Sequence, residues 1–371
     1  MLVNLHRADL TFAPAALLPF ERTSVMSPTL AASHGRLWLL GRATARNRTF
    51  PWSACPQDAP PLAATAVACP AALGKIPFAE VNWLFGVPLD QEYRPAGPAE
   101  GLPDSADFQH AQTMCLRRWC SLGPKDPRAF EWGDRGTFIV YNAPNLSDVS
   151  TVCRIRQVLP RLGAPVTLQI FGVRMGLSEK NWSPIAPGVD GTTFLFSRFI
   201  EPHTVLSCAP NGWCRTLAAT SAGVALSALQ AEWRLSALHL ATNAVRLPHG
   251  RAYVAIMHGL RTRSASTPLT YLAFPYTFDA QPPWRLRTVA AQPLDLQVRD
   301  VPVNTSVPME QRFAYANSLR LLEDGHLVIG FHVQDNTLSL ARLSFSELLR
   351  HQHPVPDKDD DGNDFVEEDD G

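Results

Sequence analysis

Asp126-Pro127-Arg128 sets a carboxylate and a guanidinium two positions apart on a stiff backbone, ahead of an apolar run. Such a pair can hold a carboxylic acid ready while the arginine grips hydroxyls or an anion. The same tripeptide also reads as a turn-initiating Asp-Pro with a surface arginine. Glu179-Lys180-Asn181-Trp182 places an acid, a cation, an amide and an indole in consecutive positions before Ser183-Pro184. Polar groups this dense beside a flat ring suit a sugar, and they equally suit a solvated loop. Three further candidates are His203 after Glu201-Pro202, His258 at the end of an apolar run, and Tyr271. Asp335 closes the run Phe331-His332-Val333-Gln334 in a similar way. A lone histidine, however, is more often structural than chemical.

These residues must be positioned by strands. Short apolar runs bounded by turn residues recur along the chain: 36–40, 137–141, 165–170, 193–196, 252–256 and 326–331. Their length and their β-branched or aromatic content predict strands. Gly-containing turns near residues 33–35, 131–133, 247–250 and 323–325 join apolar runs and predict hairpins. Helical periodicity is scarce, with one or two turns expected at Ser344–Arg350 and a weaker candidate at Thr220–Ala237. The 32 prolines also disfavour long helices. Repeated hairpins without clear sequence identity suit an all-β propeller, and a β-sandwich is the rival architecture. Residues 55–107 are rich in Pro and Ala and read as an insertion or long inter-blade loop. The expected organisation is one domain over residues 1–350, followed by a disordered acidic tail over 351–371.

With 46% hydrophobic and 18% charged residues, the chain can bury a core. Nine carboxylates and one lysine between Asp357 and Asp370 put about −8 on the tail. The overall charge of −1 therefore leaves about +7 on the body, which favours anionic ligands such as phosphate or a nucleotide sugar. No nucleic-acid-binding motif is present. No CxxC pair occurs among the seven cysteines, so no zinc site is expected. Cys208 and Cys214 flank the hairpin signal Asn211-Gly212, and either a disulfide or two buried thiols fits that placement. No basic leader with an apolar core opens the sequence, and no apolar run is long enough to span a bilayer, so a soluble protein is expected. Asp357, Asp359, Asp361, Gly362 and Glu368 match the spacing of a calcium loop. Pro354 and Pro356 break any helix leading into it, and a solvated acidic tail is the favoured reading.

The ordered set Ser27-Pro28 with Arg42, Asp126-Pro127-Arg128, Glu179-Lys180-Asn181-Trp182, Pro202-His203, His258, Tyr271, Ser318 and Asp335 resembles the β-mannoside phosphorylase family, including its β-1,2-mannosyl-transferring relatives. The resemblance covers roughly residues 25–345. It implies a five-bladed propeller and phosphorolysis or glycosyl transfer on an oligosaccharide or other glycan. Asp126 would be the general acid. Lys180, His258 and Tyr271, with Arg128 nearby, would hold phosphate, and Arg42, Asn181 and His203 would line the sugar subsites. No cofactor and no metal are expected; inorganic phosphate or a sugar nucleotide would be the co-substrate. The sequence departs from the family in three places, one of them the insertion over residues 55–107. Leu240-Ala241-Thr242-Asn243 stands where Gly-Gly-Thr is usual, and Lys125 stands where Glu is usual. These departures keep two alternatives open: a carbohydrate-binding propeller without activity, and a hydrolase in which Glu179, Glu201 or Asp335 is the second carboxylate.

Overall fold

The computed structural model describes residues 2–5, 23–33, 35–47, 79–102, 120–122, 124–144, 151–173, 175–176, 179–261, 270–296, 313–334 and 337–356. Five separate sheets of mostly antiparallel strands surround an axis. The protein is an all-β, five-bladed propeller.

Each blade begins at the axis. Blade 1 runs from Thr23–Ser33 through Arg36–Asn47 and Ala79–Leu89 to Glu100–Gly101, with Cys120–Leu122 alongside the third strand. Blade 2 runs Lys125–Glu131, Thr137–Pro144, Thr151–Leu159 and Val166–Thr167. Blade 3 runs Ser183–Pro187, Phe194–Ile200, His203–Cys208 and Trp213–Thr220, and Gln169–Ile170 joins its outer edge in parallel. In blade 4 two short pieces, Ala237–Leu240 and Val245–Arg246, pair with Ala252–Arg261. Thr270–Asp279, Leu286–Ala290 and Gln352–Pro354 follow outward. Blade 5 runs Ala314–Leu321, Leu327–Val333 and Thr337–Leu343, and its outer strand is the N-terminal Leu2–Leu5. The last blade therefore takes a strand from the other end of the chain, which closes the ring and covers an edge that would otherwise be unpaired.

The apolar residues sort into five clusters, and each cluster fills one interface between neighbouring blades. Val25, Phe85 and Leu338 join blades 5 and 1; Leu40, Ile139 and Tyr141 join 1 and 2; Phe130, Trp182 and Phe196 join 2 and 3. Ile185, Tyr276 and Phe278 join 3 and 4, and Ile256, Ala316 and Phe331 join 4 and 5. Middle strands such as Leu327–Val333 are buried throughout, because a blade is packed on both faces. This explains their continuous apolar runs. It also leaves the axis to polar groups.

The structure differs from expectation in three places. Within the Pro/Ala-rich stretch 55–107, residues 79–89 form an eleven-residue strand, the third of blade 1. Gln352–Pro354, in the stretch expected to be tail, adds a strand to blade 4. The 220–237 candidate is a helix over Gly223–Trp233, and a short second helix, Phe345–Leu348, has a Ser344/Glu347 capping box. Cys208 and Cys214 lie directly opposite each other beside the Asn211-Gly212 turn and form a disulfide. The calcium-loop spacing falls outside the described residues.

Candidate functional site

Four of the five innermost strands slip register near the axis: between Met26 and Thr29, Lys125 and Arg128, Pro184 and Ala186, and Ala316 and Ser318. A bulge re-aims the side chains within it. Ser27 and Asp126 sit in the first two bulges with φ of 55° and 51°, and each precedes a proline. Asn181, at the entry to blade 3, has φ 65°. A positive φ on a residue other than glycine costs about 1–3 kcal/mol and gathers where function needs a special geometry. The blades approach closely here. A Cβ on Gly330 would lie 2.7 Å from the Pro28 carbonyl oxygen, so only glycine fits.

Three donors from two blades hold the Asp126 carboxylate. Oδ1 accepts from Ser27 Oγ at 2.9 Å and pairs with Arg42 Nη1 at 3.0 Å. Oδ2 accepts from Asn142 Nδ2 at 3.3 Å. Burial pushes the acid up, but Arg42, the Ser27 hydroxyl, Arg128 and Lys125 together outweigh it and hold the carboxyl below its ordinary range. Its side chain keeps 20% exposure, so one face stays open.

Arg128 is 1% exposed and faces carbonyl oxygens. Its guanidinium donates to the backbone of Leu240, Ala241 and Trp182 and to Asn181 Oδ1. It pins blade 2 to blades 3 and 4 rather than lying open to a ligand. Asn317 plays a matching part from blade 5, donating to the Pro127 carbonyl at 2.6 Å.

A wall of rings stands on the blade 4 and 5 side. His258 is fully buried, with its ring centroid 3.9 Å from Tyr315 and 5.7 Å from Tyr271. Tyr315 stacks on His332 at 5.1 Å, and His332 Nδ1 accepts from the Ser27 backbone. Apart from an approach to the Ala316 backbone, neither ring nitrogen of His258 makes a hydrogen bond among the described residues. Burial, then Arg128 and the neighbouring histidines, hold His258 well below its ordinary range, so it is neutral at physiological pH. His239 lies opposite His258 in the strand pair, and burial followed by the charge of Lys180 lowers it too. Lys180 itself is exposed at this edge.

The structure therefore brings together Asp126, Arg42, Arg128, Asn181, His258 and Tyr271, with Lys180 at the rim. It does not place His203 with them. That residue lies in the core between blades 3 and 4, against Phe278, and its ring nitrogens pair with Ser197 Oγ and the Trp284 carbonyl. Its place on the middle strand, after a tight turn, sends it into the blade interface. Glu179 is buried and gripped by Arg198 through Nε and Nη2, with Trp182 Nε1 donating at 3.2 Å. Burial raises its carboxyl, and the hydrogen bonds and charge of Arg198, together with donors from Gly176 and Trp182, outweigh it and hold the carboxyl below its ordinary value. Glu201 caps the helix Gly223–Trp233, accepting from the Ala222 N–H and Ser221 Oγ. Asp335 lies outside the described residues.

Sequence reasoning passed over Asn142, Tyr315 and His239. Asn142 ends an apolar run and Tyr315 sits in an ordinary strand pattern, so only the fold reveals that they face the axis. The departure at 240–243 is also explained: Asn243 bonds both backbone groups of Leu319 and ties blade 4 to blade 5. Among the described residues no group of three His, Cys, Asp or Glu side chains is arranged to hold a metal. None of the described helices is long and apolar enough to cross a membrane.

No protein-family model matches the sequence, and no curated protein matches it by sequence. Solved structures match its fold. A glycosyl hydrolase from Bacteroides ovatus aligns with a TM-score of 0.58 at 13% identity, over 91% of this chain and 88% of that one. β-1,2-Mannobiose phosphorylase from Listeria innocua, solved with β-1,2-mannobiose, aligns at 0.56 and 11%, over 94% and 98%. A structure from the GH130 family of mannoside phosphorylases, reported with hydrolases that target β-1,2 mannosidic linkages in Candida mannan, aligns at 0.54 and 13%, over 91% and 89%. The chain has the five-bladed propeller fold of these proteins. At such identities the likeness is one of fold, and any chemistry has to be argued from the site.

Proposed function

We propose that the axis is a glycan site and that this chain breaks or forms β-mannosidic or similar glycosidic bonds by phosphorolysis or glycosyl transfer. The observation that carries this reading is Asp126, aimed by a strained bulge toward a ring-lined axis and left with one open face. In phosphorolysis Asp126 gives its proton to the departing glycosidic oxygen. The anomeric C–O bond breaks, a phosphate oxygen bonds to the anomeric carbon, and the phosphate's proton restores the acid. In the reverse direction Asp126 accepts the proton of the acceptor hydroxyl. Arg42, Ser27 and Asn142 favour its ionised form, the form that synthesis requires.

Lys180 supplies charge for an oxyanion and the half-buried Tyr271 supplies ring surface, with the buried, neutral His258 packed behind it. Arg128 fixes the backbone beneath them. Hydrolysis with inversion needs a second carboxylate about 6.5–9.5 Å from the first. Among the described residues the two candidates, Glu179 and Glu201, are both engaged in structural contacts, which supports phosphate rather than water as the nucleophile; Asp335 lies outside the described residues.

The test is a release assay on β-mannosyl oligosaccharides, with and without inorganic phosphate. Phosphate-dependent mannose 1-phosphate is the expected product. Free mannose in the absence of phosphate would overturn phosphorolysis in favour of hydrolysis. Sugar binding without either product would move the reading to a nucleotide-sugar donor or to a propeller that only binds.

A further inference from the structure

Asn142 is 4% exposed and lies on the second strand of blade 2. Its Oδ1 accepts from the Asn181 backbone N–H at 3.0 Å, and the single S–H of Cys153 is shared between this oxygen at 3.8 Å and the Glu179 carbonyl at 3.7 Å. Burial pushes the Cys153 thiol up to about 12, so it keeps its proton and acts as a donor. With the Asn181 N–H on Oδ1, the amide cannot turn over without setting N–H against N–H. Nδ2 must therefore face Asp126 Oδ2. The two oxygens of Asp126 are thus unequal. Oδ1 already takes a hydroxyl and a guanidinium, whereas among the described residues Oδ2 takes only the Asn142 amide.

We infer that Asn142 is a positioning residue that makes Oδ2 the proton-carrying oxygen of Asp126. Oδ1 has no room for a proton while it holds both Ser27 and Arg42. Oδ2 gains or gives the proton, and Asn142 sets how readily. The groups facing this carboxyl are Arg42 and Ser27 from blade 1, Lys125 and Arg128 on its own strand, Asn142 beside it and Tyr315 from blade 5. Of these, only Asn142 addresses Oδ2 by a hydrogen bond among the described residues. The consequence for catalysis rests on the proposed acid role of Asp126. The hydrogen-bond geometry stands apart from it.

The experiment follows the titration of the Asp126 carboxyl by 13C NMR in aspartate-labelled protein, with the signal assigned by its loss in Asp126→Asn. In Asn142→Ala the midpoint is expected to rise, because Oδ2 loses its donor. In Asn142→Asp it is expected to rise further, by more than about 1 in pH, because two carboxylates then compete for one proton. Thermal unfolding checks that both variants fold, and Asn142→Asp, which keeps acceptors for Asn181 and Cys153, is decisive if the alanine variant does not. Unchanged midpoints in folded protein would overturn the inference. If the wild type turns over a glycoside, the acid limb of kcat should shift with the midpoint while KM holds. Absence of turnover on every glycoside would sink the function, and the titration would still decide the role of Asn142.

Discussion

Arg42 reaches from the second strand of blade 1 to Asp126 on the innermost strand of blade 2, with Nη1 3.0 Å from Oδ1. Neither blade can make this pair alone. Its geometry depends on the bulge that turns Asp126 out of its ladder and on the Leu40, Ile139 and Tyr141 packing that fixes blade 1 against blade 2. The side chains are 7% and 20% exposed, so solvent screens the pair only in part. The chemistry of the site and the assembly of the ring are coupled at this contact.

Asp126→Asn keeps the shape of the side chain and most of its partners. It removes the only proposed proton donor. Turnover in the release assay should fall by about 10²–10⁴-fold or more, while circular dichroism and the unfolding midpoint stay near wild type. A variant that remains active would remove Asp126 from the acid role.

Arg42→Met retains length and apolar stem but leaves Asp126 without its main charge partner. The Asp126 carboxyl should then titrate higher, and the fold should lose about 2 kcal/mol at neutral pH. The folded carboxyl of the wild type lies below its ordinary value, so the pair stabilises above the ordinary carboxylate range. That contribution is lost as pH falls through the folded value. Denaturant unfolding of both proteins across pH should therefore show a gap that is widest near neutrality and closes in acid.

Arg128→Lys separates a ligand-binding arginine from a structural one. A lysine keeps the charge but cannot fork between Leu240, Ala241, Trp182 and Asn181. Several buried carbonyls would lose their donor, at about 1–3 kcal/mol each. The expected result is a clear drop in the unfolding midpoint even without ligand. A variant as stable as wild type but weak in binding would return Arg128 to the ligand.

Much of the fold was legible because blade strands are buried on both faces and end at glycine turns. The runs at 137–141, 252–256 and 326–331 all became middle strands of blades. The strand at 79–89 was not legible. Proline and glycine within Phe85-Gly86-Val87-Pro88 obscure its period, and only pairing with Arg36–Asn47 fixes it. At the site, Asp126 and Arg42 could be named from short motifs, whereas Asn142 and Tyr315 could not. Their importance comes from three-dimensional convergence on the axis, which no spacing within one blade encodes. His203 shows the reverse case, in which a polar residue beside a motif is drawn into a core.

His203 also gives a prediction with a definite sign. Burial lowers it to about 4 from an ordinary value of 6.5, and the Trp284 carbonyl only partly opposes this. The unfolded chain takes up a proton below 6.5, and the folded chain resists until about pH 4. Stability is therefore full above 6.5 and falls between 6.5 and 4, by about 3 kcal/mol from this residue. His258 pulls in the same direction, so the total slope is not diagnostic. The informative comparison is with His203→Gln, which keeps a donor and an acceptor but does not titrate. It should be less stable at neutral pH, and its stability should fall less steeply between pH 6.5 and 4. Since His203 is fully buried in the blade 3 and 4 core with both ring nitrogens engaged there, kcat and KM should stay near wild type as long as the protein is folded. An unchanged pH slope, or a selective rise in KM, would place His203 at the ligand after all.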